Sequence, residues 1–289
     1  MTHSIKTQGY GERSRTMIHK AKKSLGQNFL KSEAALRKIV EAGEIKLDDV
    51  ILEIGPGKGA LTERLLERAG LVIAVEKDRA LYEFLKDKFA KEIDSRSLVL
   101  VHGDILGFKV ESYKVESYKV IANIPYNITG AILKKFLSTE NPSGVALRAR
   151  QPERMVLMLQ QEVARRIMGR GNPSTPLRAK ESILSISVKA YGEPKMVMKV
   201  PARYFSPAPK VDSAVISIKN ISRKNFKENG IEEEKFWEIV KKGFAHKRKK
   251  LSSNLKNVLG KEKVVLLGKL GDKRAEDLSL ADWIELTKL

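Results

Sequence analysis

Val50-Ile51-Leu52-Glu53-Ile54-Gly55-Pro56-Gly57-Lys58-Gly59 is the stretch that decides the fold of this chain. Val50 to Ile54 is a short apolar run, bounded at once by glycine, and reads as a buried strand. Ala60 to Ala69 then reads as a helix. Glycine permits unusual φ and close backbone approach. Loops of this kind carry dinucleotides in one superfamily and S-adenosylmethionine in another. Alone the loop does not choose between them.

The neighbouring segments extend the pattern. Ser32 caps a helix that runs to about Ala42, with Leu36, Ile39 and Val40 at helical spacing. Leu71 to Val75 is a second strand, and Arg79 to Ala90 a helix. Leu98 to Val101 is a third strand ending near Asp104, and Tyr118 to Ala122 a fourth, followed by a helix over Asn127 to Ser138. Met155 to Leu159 precedes a helix over Glu162 to Met168. Such alternation predicts an α/β fold with a parallel, doubly wound sheet. Met196–Val200 and Ser213–Ile218 are expected to close it as a hairpin-like edge, with Pro201, Pro207 and Pro209 marking the loop between them. Lys22 to Leu30 is read as a loop. The tandem copy Val110-Glu-Ser-Tyr-Lys and Val115-Glu-Ser-Tyr-Lys is read as a lengthened loop before the fourth strand. Phe236, Trp237, Ile239, Val240 and Phe244, then Leu251, Leu255, Val258 and Leu259, space as helix faces. The expected organisation is a disordered basic arm at 1–21, an α/β domain at 22–221 and a small all-helical domain at 222–289.

Strand ends carry the candidate chemistry. Glu76 ends the second strand, 21 positions after Gly55, where a carboxylate accepts from ribose hydroxyls. Asp104 lies where it would meet an adenine amino group. Pro56, and a third glycine only two positions after the second, depart from the dinucleotide pattern G-x-G-x-x-G, and no acid for hydride transfer is evident. After the fourth strand comes Asn123-Ile124-Pro125-Tyr126. Asn123 offers a neutral acceptor. Pro125 stiffens the turn and biases Ile124 toward an extended backbone that aims its carbonyl outward. Tyr126 offers a flat face. Two acceptors and a ring suit the exocyclic amine of a nucleobase, which tips the cofactor to the methyl donor S-adenosyl-L-methionine.

Composition narrows the class of partner. Lys plus Arg is 55 and Asp plus Glu is 35, a net charge of +20. So basic a chain is drawn to polyanions. No apolar run approaches the roughly 18 residues of a membrane span, and 1–23 lacks the apolar core of a signal peptide. The absence of cysteine excludes disulfides, thiolate metal sites and a cysteine nucleophile. Four histidines without a cluster point to no metal site. The densest basic run holds Lys241, Lys242, Lys247, Arg248, Lys249 and Lys250, the candidate grip on RNA phosphates.

With these residues in view the chain resembles the small-subunit ribosomal RNA adenine N6,N6-dimethyltransferases, the KsgA-type enzymes. The resemblance runs from Lys22 to Leu289. It rests on SLGQNFL (24–30), EIGPGKGALT (53–62), Glu76, GDIL (103–106), NIPYNIT (123–129), QQEVARRI (160–167), FSPAPKVDSAVI (205–216), FAHKRKKLSSNL (244–255) and RAEDLSL (274–280). It implies a Rossmann-like class I methyltransferase sheet with the small C-terminal all-helical domain. It implies S-adenosylmethionine as cofactor, 16S rRNA within a small-subunit precursor as substrate, a monomer, and a cytoplasmic location. Carried over by motif, Asn28 and Leu30 border the methionine side of the cofactor. Gly55 and Gly57 face it, Glu76 meets its ribose and Asp104 its adenine, and Asn123 lies between donor and acceptor. Tyr126 and Phe205 would sandwich the base. The basic stretches at 141–152 and 170–180 depart from the family pattern and are expected to be surface loops. Two rivals remain at this point, a large-subunit enzyme of the antibiotic-resistance type and an assembly factor without catalysis. RAEDLS (274–279) and the helical domain favour the small-subunit reading over the first. The intact site set argues against the second.

Overall fold

The computed structural model describes residues 22, 25–138, 151–169, 180–265 and 267–289. The arm expected at 1–21 lies outside them, as do 141–150 and 170–179 of the two basic loops.

In chain order the elements are β1 (Phe29–Leu30), α1 (Glu33–Gly43), β2 (Val50–Ile54), α2 (Ala60–Leu66), β3 (Leu71–Glu76), α3 (Arg79–Lys88), α4 (Ala90–Asp94), β4 (Leu98–His102), β5 (Lys119–Asn123) and α5 (Thr129–Leu137). Then follow β6 (Arg154–Gln160), α6 (Gln161–Met168), α7 (Ile183–Lys189), β7 (Glu193–Val200), β8 (Phe205–Ser206), β9 (Ser213–Lys219), α8 (Lys224–Asn229), α9 (Glu233–Gly243), α10 (Leu251–Val265) and α11 (Leu280–Lys288). Seven strands form one sheet in the order β4-β3-β2-β5-β6-β9-β7. From β4 to β6 all pairings are parallel. β9 runs antiparallel to both β6 and β7, so the sheet is mixed where the strand–helix alternation predicted a parallel one. The hairpin-like pairing of the last two strands is as expected.

Strand residues alternate between two cores, as the period of two requires. Ile51, Val72, Ala74, Ile121, Val156 and Met158 face α1 and α2. Leu52, Ile73, Val75, Val120, Leu157 and Ile216 face α5, α6 and α7. Ser32 caps α1 by accepting from the Ala35 amide at 3.3 Å, as its position predicts. The second core runs on without a break into the helices beyond 222, through Phe226, Phe236 and Trp237. Tyr191 is the junction: its hydroxyl accepts from Trp237 Nε1 at 2.9 Å and its ring lies 5.4 Å from that of Phe226. The tandem copies do different work. The first forms a 3-10 turn at Val110–Tyr113, and the second leads Tyr118 into the core against Phe136.

The segment read as a loop over 22–30 contains a strand. β1 pairs antiparallel with β8, and the Lys31 amide continues the pairing to the Tyr204 carbonyl at 2.8 Å. A strand of two residues carries no periodic signal. Their pairing exists because distant segments meet.

Candidate active site

β2 lies between β3 and β5: the chain runs outward on one side through β3 and β4, then crosses back to place β5 on the other side. Open α/β sheets bind ligands at such a switch point, beyond the carboxyl ends of the strands. Here those ends open on a cavity of about 530 Å3. Of the expected site residues, Asn28, Leu30, Gly55, Gly57, Glu76, Asp104, Asn123, Ile124, Pro125 and Tyr126 all line it.

Gly55 has φ +64° and open space where a Cβ would stand. A ligand can therefore approach its backbone. Gly57 donates its N–H to Glu76 Oε2 at 3.1 Å, and Asp78 donates its amide to Oε1 at 2.8 Å. Glu76 is thus held by the loop it faces. Burial pushes its pKa up, against the pull of those amides. Asp104 accepts from Lys77 Nζ at 2.8 Å and from the Leu106 amide at 2.9 Å. Lys77, then that amide, hold its carboxyl below the usual range, so it stands as an ionised acceptor at the rim.

On the opposite wall, the Asn123 side-chain amide donates through Nδ2 to the Asn28 carbonyl at 3.2 Å. That bond sets the orientation of the amide. Oδ1 is left with no hydrogen-bond partner among the described residues. The Ile124 amide is used by the Met158 carbonyl at 3.2 Å, whereas the Ile124 carbonyl accepts no hydrogen bond among the described residues. Among the described residues, two acceptors at adjacent positions thus stand unfilled. Tyr126 is half-buried, and its hydroxyl lies 2.6 Å from Ser213 Oγ on β9. Burial raises its pKa, against that hydrogen bond.

Phe205 is placed differently from expectation. It is 2% exposed, packs among Leu30, Leu36 and Val215, and does not reach the cavity. Ser206, its neighbour on β8, lines the cavity instead. Alternation along the β1–β8 pair sends one residue inward and the next outward.

The six basic residues lie apart from the cavity. Lys241 and Lys242 close the last turn of α9, and Lys247 to Lys250 form the exposed link to α10. Lys250 is paired with Asp272 at 2.8 Å. Asn254 pins the link by donating to the Gly243 carbonyl at 2.6 Å and the His246 carbonyl at 3.2 Å.

Residue-level reading missed Glu53, Gln27 and Asp78. Glu53 lines the cavity yet is 1% exposed, and it accepts from Thr62 Oγ1 at 2.7 Å. A lone charge inside the apolar run of β2 was the available signal. Burial, and then the nearby charge of Glu76, push its pKa up to about 8 against the Thr62 hydrogen bond. Folded protein therefore keeps this proton at neutral pH, while the unfolded chain loses it above pH 4.5. The associated stability is present in full below 4.5 and is lost as pH rises toward 8. Glu53→Gln removes that loss, because an amide stays neutral. Relative to wild type the variant should gain roughly 3–5 kcal/mol in unfolding free energy between pH 5 and 8.5. Urea titrations at the two pH values check this, and a constant difference would refute it.

A seven-stranded sheet in this order, with its β9 strand reversed and its ligand cavity at the β2 switch point, is that of the Rossmann-like class I methyltransferases. The family model for ribosomal RNA adenine dimethylase matches residues 18–289. Among curated proteins, "Ribosomal RNA small subunit methyltransferase A" of Dehalococcoides mccartyi (strain CBDB1) is 40% identical over 92% of this chain and 87% of its own length. The protein of the same name from Thermosynechococcus vestitus is 38% identical over 93% and 97%. Among solved structures, a dimethyladenosine transferase from Plasmodium falciparum superposes with a TM-score of 0.72 at 26% identity, covering 89% of this chain and 95% of that one. The 23S rRNA methyltransferase ErmE shares the fold, with a TM-score of 0.67 at 24% identity over 90% and 98%. The chain belongs to the ribosomal RNA adenine dimethylase family and is an rRNA adenine dimethyltransferase. Among the described residues no helix is long and apolar enough to cross a membrane.

Proposed function

We propose that this enzyme dimethylates N6 of two adjacent adenosines in a 3'-terminal loop of small-subunit (16S) rRNA during ribosome maturation. In this reading it works as a cytoplasmic monomer with S-adenosyl-L-methionine as methyl donor. The single observation that carries the reading is the pair of unfilled acceptors, Asn123 Oδ1 and the Ile124 carbonyl, opposite the glycine loop. The small-subunit substrate rests on the names of the curated relatives.

The cavity suits the donor chemically. Gly55 leaves its backbone open, Glu76 offers carboxylate oxygens held by amides, and Asp104 stands ionised at the rim. Glu76 would take the ribose, Asp104 the adenine amino group, and Asn28 and Leu30 the methionine end. S-adenosylmethionine, when bound, supplies an electrophilic methyl on a sulfonium.

The acceptor N6 is a poor nucleophile because its lone pair is delocalised into the adenine ring. Asn123 Oδ1 and the Ile124 carbonyl would accept its two N–H groups and favour a pyramidal nitrogen. Most of the gain is positioning. The nitrogen becomes cationic and acidic on attack and would release its proton to solvent. Asn123 cannot hold that proton, so its part is orientation and electrostatics. Tyr126 would stack on the base, a contact worth about 1–3 kcal/mol. The Ser213 hydrogen bond fixes the tilt of that ring. Phe205, as the second face, requires its side chain to leave the core on binding. In the second round one N–H is gone, so the two acceptors are not needed equally.

The test offers labelled S-adenosylmethionine with unmethylated small subunits, large subunits and naked RNA, followed by mapping of the product. Label on two adjacent adenosines of the small subunit is expected. Large-subunit label would move the enzyme to the other substrate, and no label would overturn the reading. Equilibrium binding of the same RNA at graded salt addresses the basic link. Replacing Lys247, Arg248 and Lys249 by alanine should flatten the slope of log affinity on log salt by about 2, at roughly 0.7 per phosphate contact. An unchanged slope would remove this link from the RNA interface.

A further inference from the structure

Residues 25–28 border the cavity, yet none is buried. Apolar packing does not hold them there. Hydrogen bonds do, and they converge on Asp78, which precedes α3 and is 3% exposed. Asp78 Oδ1 accepts from the Ala80 amide at 3.0 Å and from Lys22 Nζ at 2.9 Å. Oδ2 accepts from Gln27 Nε2 at 2.9 Å. Gln27 Oε1 in turn accepts from the Lys22 amide at 2.7 Å. Capping α3 requires only the Ala80 contact. The other contacts tie a distant segment to the wall that carries Glu76, whose Oε1 takes the Asp78 amide. From Gln27 the chain passes to Asn28, whose carbonyl orients the Asn123 amide.

We propose that Asp78 is a positioning residue that clamps residues 25–28 over the cofactor end of the cavity through Lys22 and Gln27. The clamp slows release of the nucleoside and keeps the Asn28 carbonyl in place for Asn123. It therefore couples cofactor retention to the geometry of the acceptor wall. The proposal rests on the reading of this cavity as the S-adenosylmethionine site.

The substitutions that test it conserve the cap. Asp78→Asn still accepts from the Ala80 amide, since asparagine and aspartate cap equally well. It loses the ion pair with Lys22 and sets an amide donor against the Gln27 donor. Gln27→Glu sets carboxylate against carboxylate. Together the two changes restore a donor–acceptor pair and the same total charge. S-adenosylhomocysteine is the probe, with Kd from calorimetry and dissociation rate from stopped flow. Hydrogen–deuterium exchange over 25–30 is followed in the unliganded protein. Each single variant should release the probe about tenfold faster, as loss of one charge-assisted hydrogen bond implies. Exchange over 25–30 should rise in parallel, and the double variant should return both within about threefold of wild type. If wild type binds but the single variants release at the wild-type rate, the clamp is refuted. The same holds if the double variant is no better than the worse single one. If wild type has no affinity for the probe, the site reading itself falls and takes the clamp's role with it.

Discussion

Asn123→Ala should lower methyl transfer about 10²–10³-fold, the scale of losing one preorganised polar group at a reacting centre, while RNA affinity changes little. The side chain sits at the end of β5 with its Nδ2 committed to the Asn28 carbonyl at 3.2 Å. Its Oδ1 has no hydrogen-bond partner among the described residues, and it is the acceptor this reading uses. Alanine removes that acceptor and leaves the rest of the wall standing, because the Ile124 amide still bonds the Met158 carbonyl. RNA affinity is expected to rest largely on phosphate contacts. Single-turnover methylation with pre-bound RNA separates the two effects. Near-normal turnover would remove Asn123 from the chemistry, and a parallel collapse of RNA binding would make it a structural residue.

Gly59→Ala should cost about 2–5 kcal/mol of folding stability, whereas Gly55→Ala should cost only about 1–2 and act mainly on cofactor binding. Both positions have positive φ, +79° and +64°, a strain of roughly 1–2 kcal/mol for a residue with Cβ. Their surroundings differ. A methyl at Gly59 would lie 2.5 Å from Phe89 Cε2 and 3.0 Å from Leu85 Cδ2, both in the packed core. Overpacking adds about 1–3 kcal/mol. A methyl at Gly55 meets nothing within 4 Å and projects toward the space a ligand would use. Urea unfolding and S-adenosylhomocysteine titration of both variants decide the matter. Equal stability loss in the two would contradict the division between a packing glycine and a binding glycine.

Much of the architecture was legible locally. An apolar run such as Val50–Ile54, closed by glycine, has few conformations that bury it, and the observed strand has those bounds. The turn at Asn123 was legible because proline and a strand end restrict the backbone wherever they occur. Helices with weaker patterns were not. α7 and α11 owe their starts to Ser182 and Ser279 caps and their place to neighbours distant in sequence.

By itself the sequence determined the main strand–helix alternation, the glycine loop followed by Glu76, the turn at Asn123–Tyr126 and the basic surplus, because each is a matter of local conformation or of summed charge. Tertiary structure alone decided the insertion of β9 antiparallel beside β6, the β1–β8 pairing and the inward turn of Phe205. It also decided the Asn28–Asn123 contact, the Lys250–Asp272 pair, and the convergence of Lys22 and Gln27 on Asp78. The reason is physical. A side chain's partner across 51 or 95 positions depends on where closed loops bring the backbone, and hydrogen bonds of about 3 Å require the sheet to set that distance.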